Sequence, residues 1–194
     1  MVETPPILDI CQNFKRVIEG QHSRASGSTH FAPMMYLWAK VIKAKTILEI
    51  GLGAGSTLYW LAHAAKELGG QYYGIDISVQ KTGAIIDQTG GFGLPINIFT
   101  ENSIKLNTKW FAQNVGKPEL VFLDGNHQEH TIAHEVEQLY SLVPGMGKGY
   151  IFIHDIDTKS KAGWNSVIKN PKYDFQHLAI PGDAGLGILR KIEI

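Results

Sequence analysis

Residues 46–57 read Thr-Ile-Leu-Glu-Ile-Gly-Leu-Gly-Ala-Gly-Ser-Thr, a strand-forming run that passes without interruption into three alternating glycines and then into a helical pattern. A turn this rich in glycine lets backbone lie directly against a ligand at the mouth of the following helix, where free N–H groups point outward. The next apolar stretch ends Tyr72-Tyr73-Gly74-Ile75-Asp76. Its carboxylate stands at the end of a neighbouring strand, where it can take both hydroxyls of a ribose. Two strand ends therefore point at one nucleoside.

The same alternation continues along the chain. Short apolar or β-branched runs at Thr46–Ile50, 72–76, Ile96–Thr100, 120–124 and Tyr150–His154 are separated by helical patterns at 56–68, 79–88, 104–114 and 130–142. That pattern is the signature of βαβ units and a parallel sheet. Ser56 or Thr57 is the expected cap of the first of these helices, and Gly69-Gly70 its end. A short helix at 164–169 precedes two last runs, Phe175–Ile180 and 186–192, joined by Pro181-Gly182-Asp183-Ala184-Gly185. Those two predict a closing antiparallel hairpin. Helical spacing also marks 8–19 and 33–42, with a polar stretch at 21–30 between them that is either a linker or part of a lid. We expect one domain, with residues 1–44 as a helical cap and 45–194 as the α/β core.

Composition narrows the partners. The 18 basic and 18 acidic residues cancel and form no long run of either sign, so neither a nucleic-acid backbone nor an anionic membrane is the expected partner. The single cysteine, Cys11, excludes an internal disulfide framework, and no apolar stretch reaches the length of a membrane span. With neither the basic segment nor the apolar core of a signal peptide at the start, a cytoplasmic location is expected, with a homo-oligomer left open.

The glycine spacing separates two nucleotide chemistries. A dinucleotide fingerprint has glycine at its sixth position, to bring a pyrophosphate onto the helix; here that position is Ser56. A nicotinamide-dependent oxidoreductase is disfavoured on that ground and by the predicted hairpin. The observed Glu-x-Gly-x-Gly-x-Gly, Glu49 to Gly55, resembles motif I of the class I S-adenosylmethionine-dependent methyltransferases. The resemblance implies a Rossmann-like, three-layer α/β fold whose seven-stranded, mostly parallel sheet has an antiparallel last strand. It also implies that Glu49, Gly51, Leu52, Gly53, Gly55 and Ser56 surround the methionine part of the cofactor. Asp76 and Ile77 would hold the ribose end, and Asn102, Ser103 and Asp124 would complete the cofactor site. Glu101 stands beside the two adenine-contacting positions.

Two adjacent strands end in polar groups: Asp124-Gly125-Asn126-His127 after the fourth and His154-Asp155-Ile156-Asp157 after the fifth. Either Asp124 caps the helix that begins near residue 130, or the four side chains Asp124, His127, His154 and Asp155 form one site. An Asp-Gly-x-His followed by a His-Asp, with an apolar helix and Pro144-Gly145 between, resembles the branch that groups cephalosporin-hydroxylase-like and macrolide-sugar O-methyltransferases. That resemblance spans residues 46–157 and implies methyl transfer to a hydroxyl of a sugar or secondary metabolite. By position, Asp124 and Asp155 would ligate a divalent cation such as magnesium, and His127 would act as general base, with Asp124 beside it in catalysis. His154 departs from the branch, which carries a carboxylate there. Imidazole suits zinc, iron, manganese or nickel better than magnesium, so His154 is either a third ligand of such an ion or the mark of a cofactor-binding protein without transfer activity. Lys159, Lys161, Asp157 and Trp164 are candidates for the acceptor pocket or a solvated loop, and Trp38, Trp60 and Trp110 are expected in the core.

Overall fold

The computed structural model describes residues 31–80, 82, 83, 87, 93–182 and 184–192. Helix α1 (Ala32–Ile42) leads into β1 (Thr46–Ile50), α2 (Ser56–Glu67) and β2 (Gln71–Asp76). Then come β3 (Ile96–Thr100), a 3-10 turn (Ser103–Lys105), α3 (Thr108–Asn114), β4 (Leu120–Leu123), α4 (Glu129–Tyr140) and β5 (Tyr150–His154). Helix α5 (Lys161–Ile168), β6 (Phe175–Ile180) and β7 (Leu186–Lys191) close the chain. The strands form one sheet in the order β3-β2-β1-β4-β5-β7-β6. β1 to β5 pair in parallel, whereas β7 is inserted antiparallel between β5 and β6. The expected terminal hairpin is therefore present. The 8–19 and 21–30 segments and Cys11 lie outside the described residues, as do residues 81, 84–86 and 88 of the predicted 79–88 helix.

Both faces of the sheet are covered, which is why its central strands read as continuous apolar runs rather than alternating ones. Ile47, Tyr72, Leu120, Phe122, Tyr150, Phe152 and Ile188 face α1 and α2. Leu48, Ile75, Val121, Leu123, Ile151, Ile153 and Leu189 face α3, α4 and α5. Phe122 and Phe152 are fully buried, and truncating either to alanine removes about 3–5 kcal/mol by the usual transfer and cavity terms. Trp60 is in this core, and Trp38 packs edge-on against Tyr150 and Phe152. Trp110 is partly buried between Phe99 and Phe111.

Three local expectations are corrected. Helix α2 is capped by Gly55 in the left-handed conformation (φ 79), with no side-chain bond from Ser56 or Thr57. The predicted 104–114 helix is two pieces, because Asn102 Oδ1 accepts from the Ile104 N–H (3.3 Å) and Asn107 Oδ1 from the Trp110 N–H (3.0 Å). Each asparagine begins its own turn and interrupts the other's. Asp124 does not cap α4, whose N-cap is Gln128.

Candidate functional site

The ends of β1, β2 and β4 meet at the glycine loop. Gly51 leaves β1 with φ 92, and its N–H donates to the Ile75 carbonyl (2.8 Å), so the loop folds across the end of β2. Its Cα packs directly on the β4 end: a Cβ there would lie 2.4 Å from the Asp124 carbonyl oxygen. Beyond it, the Leu52 and Gly53 N–H groups donate to Asp76 Oδ2 (2.7 and 3.2 Å), and the Ser78 N–H donates to Oδ1 (2.9 Å). Asp76 therefore ties the loop to the β2 end. Gly55 serves as the helix cap and lines neither of the two clefts described next.

One cleft, of about 540 Å³, is lined by Gly51, Gly53, Asp76, Ile77, Glu101, Asn102, Ser103, Ile104, Asp124 and Thr131 among others. Ile77 and Ile104 are 72% and 36% exposed, yet both lie on this cleft. Two exposed isoleucines on one cavity offer apolar faces to a flat ligand. The other cleft, about 340 Å³, is lined by Glu49, Gly51, Leu52, Gly53, Ser56, Asp124, His127, His154, Asp155 and Lys159. Gly51, Gly53 and Asp124 belong to both, so the two open onto the same loop.

The second cleft gathers the polar strand ends. His154 Nδ1 lies 3.0 Å from Asp124 Oδ1 and 3.1 Å from Asp155 Oδ1, and His127 Nε2 lies 3.3 Å from Asp155 Oδ2. The other ring nitrogen of His127 is 3.0 Å from the buried Ser160 hydroxyl. Asp155 holds this position at φ 62, a strained conformation for a residue with a side chain. The turn that follows restrains it, since the Asp155 carbonyl accepts from the N–H groups of Thr158 and Ser160 at 3.0 and 2.9 Å. Donor atoms of Asp124, His154 and Asp155 all lie within 4.8 Å of one another. Two carboxylates and an imidazole fit a divalent cation, and the mixed oxygen–nitrogen set favours manganese, iron or zinc over magnesium.

Two further carboxyls are buried. Burial holds the Glu49 carboxyl well above the usual carboxylate range, with a smaller contribution from the charges of Asp124 and Asp76. The Tyr72 hydroxyl donates to it at 2.5 Å and pulls the other way, by more than either charge but less than burial. On α4, burial raises Glu135 from 4.5 to about 7, again outweighing a hydrogen bond, here from the Ser103 hydroxyl (2.6 Å). The folded chain thus binds the Glu135 proton more tightly than the unfolded one. Stability is full below about pH 4.5 and falls as pH rises towards 7, by about 3 kcal/mol if Glu135 acts alone. In Glu135→Gln, urea unfolding across that range is expected to lose this slope; an unchanged slope would assign it to other groups.

Sequence patterns placed thirteen of the expected site residues on the two clefts, with Gly55 outside, but missed Ser160, Thr131 and Glu135. Thr131 and Glu135 carried a faint signal, as polar residues on the apolar face that also holds Ile132, Val136 and Leu139. Nothing local marked Ser160, which meets His127 from 33 residues away. Trp164 packs in the core at 6% exposure rather than in the cleft.

Residues 48–156 match the family described as a methyltransferase domain. The chain belongs to that family. This methyltransferase also superposes on an O-methyltransferase from Bacillus cereus in complex with SAH, with a TM-score of 0.72 at 15% identity over 98% of this chain and 94% of that one. The O-methyltransferase TomG from Streptomyces achromogenes, involved in tomaymycin synthesis and in complex with SAM, gives 0.70 at 14% identity over 100% and 92%. The SAH-bound Podospora anserina methyltransferase PaMTH1 gives 0.69 at 15% over 95% and 88%. At such identities the likeness shows a shared fold. No curated protein matches the methyltransferase in sequence. None of its described helices is long and apolar enough to cross a membrane.

Proposed function

We propose that this methyltransferase transfers the methyl group of S-adenosylmethionine to a hydroxyl of a small molecule such as a sugar or secondary metabolite. The observation that carries this reading is the pair of clefts joined at Gly51, Gly53 and Asp124: one lined by Asp76 and two exposed isoleucines beside a polar, His- and Asp-lined one. In it, Asp76 faces the ribose, Ile77 and Ile104 sandwich the adenine beside Asn102 and Ser103, and the glycine loop with Glu49 and Ser56 borders the methionine part. The sulfonium methyl then lies near Asp124, where the second cleft begins.

Transfer is an in-line displacement, and holding the two reactants in near-attack geometry supplies several kcal/mol of the lowered barrier. An alcohol is a poor nucleophile until its proton is taken. With its own proton on Nδ1 and donated to Ser160, His127 accepts the hydroxyl proton on Nε2, and the Asp155 carboxylate 3.3 Å from that nitrogen stabilises the imidazolium that forms. Asp124, His154 and Asp155 would hold a divalent cation, which when bound lowers the hydroxyl pKa. Residues 1–44 are read as a cap on a single domain. Supporting that, α1 packs on α2, and the Phe31 ring lies edge-on to His154 at 5.8 Å.

Calorimetric titration with S-adenosylmethionine and with NAD tests the cofactor, and binding of NAD alone would overturn the reading. Transfer of labelled methyl to a pool of hydroxylated metabolites is expected, reduced by a chelator. His127→Ala is expected to lower turnover by about 10²–10⁴ while cofactor binding persists; unchanged turnover would remove His127 from the chemistry.

A further inference from the structure

The lining of the larger of the two clefts, which also holds Asp76 and Ser103, includes a polar group with no partner. Thr131 is 2% exposed and lines that cleft, yet its hydroxyl makes no hydrogen bond. Buried hydroxyls are almost always paired, so one left open beside a cavity points to a ligand that pairs it. One helical turn further along α4, on the same face, the Glu135 carboxyl is 1% exposed and lies behind the cleft wall. It accepts the Ser103 hydroxyl proton at 2.6 Å. Ser103 itself lines the cleft. A serine whose only proton is committed backwards to a carboxylate shows the cavity lone pairs alone.

We propose that Glu135 is a positioning residue that fixes the Ser103 hydroxyl as an acceptor, so that Ser103 selects a purine bearing a 6-amino group over one bearing a 6-oxo group, while the Thr131 hydroxyl pairs with either. A 6-amino group donates to such a wall. A 6-oxo group turns an acceptor towards Ser103, whose oxygen loses its bond, while the Thr131 hydroxyl rotates and donates to it. This selectivity rests on the adenosine placement proposed above.

The test is the ratio of affinities for S-adenosylhomocysteine and S-inosylhomocysteine, measured by calorimetry in alkaline buffer with the full chain. The wild type is expected to favour the 6-amino ligand by about tenfold or more. Glu135→Ala, which frees the Ser103 proton, is expected to bring the ratio several-fold closer to one, whereas Thr131→Val, which keeps the volume, is expected to weaken both ligands and leave the ratio. Glu135→Gln, whose amide oxygen still accepts, is expected to keep it. General structural damage weakens both ligands alike and leaves the ratio in place. A ratio unchanged in Glu135→Ala would overturn the selectivity while leaving the cofactor assignment intact. A wild type that binds neither ligand would overturn both.

Discussion

Gly51→Ala is expected to abolish measurable cofactor binding and to cost several kcal/mol of stability. The residue sits at φ 92, where a side chain is strained by roughly 1–2 kcal/mol. The larger obstacle is space, because the new Cβ would lie 2.4 Å from the Asp124 oxygen and 2.5 Å from the Gly125 Cα. Both are backbone atoms and cannot rotate away, so the ends of β1 and β4 must separate, at a further cost of about 1–3 kcal/mol. Separation also moves Asp124 and breaks the continuity of the two clefts. Gly53→Ala is the control. It has φ 50 but nothing within 4 Å of the added carbon, so only the conformational cost of about 1 kcal/mol remains. Urea unfolding and calorimetric titration on both variants check this. Equal losses at the two positions would mean that the contact with β4 is immaterial.

Asp124→Asn is expected to lower turnover by about 10²–10⁴ without loss of stability. Its carboxylate lies 3.0 Å from His154, lines both clefts, and stands among the acids Asp76, Asp155 and Glu49. The Asp124 charge is one of the causes that hold the Glu49 proton, so removing it relieves a crowded negative site. An isosteric amide keeps the shape and the loop packing. Activity and stability should therefore diverge, with the melting temperature unchanged or raised, as happens where a residue is retained for chemistry at the expense of the fold. Kinetics of methyl transfer beside a thermal melt decide it. A fall in both together would make Asp124 a structural support of the loop.

The legible part of this protein was whatever depends on neighbours in the chain. Strand Thr46–Ile50, its glycine turn and Asp76 could be named because a short apolar run, a break for left-handed φ and a strand-end acid are all local signals. The local signals that failed were contests between nearby groups. Ser56 is a good cap in isolation, but Gly55 had already entered the left-handed conformation, and Asp76 had taken the loop N–H groups from across the sheet. Asn102 and Asn107 divided a helix that apolar spacing alone would have joined.

What the sequence determined by itself was therefore the α/β alternation, the nucleoside-facing loop and the presence of two polar strand ends. Only the tertiary structure decided that those ends form one cluster, because adjacency of β4 and β5 is a property of the strand order and not of either strand. It also decided the strained backbone at Asp155, the hold of Ser160 on His127, and the carboxyl of Glu135 behind Ser103. Each joins residues whose separation along the chain carries no periodic signal, or a conformation that only the surrounding bonds can impose.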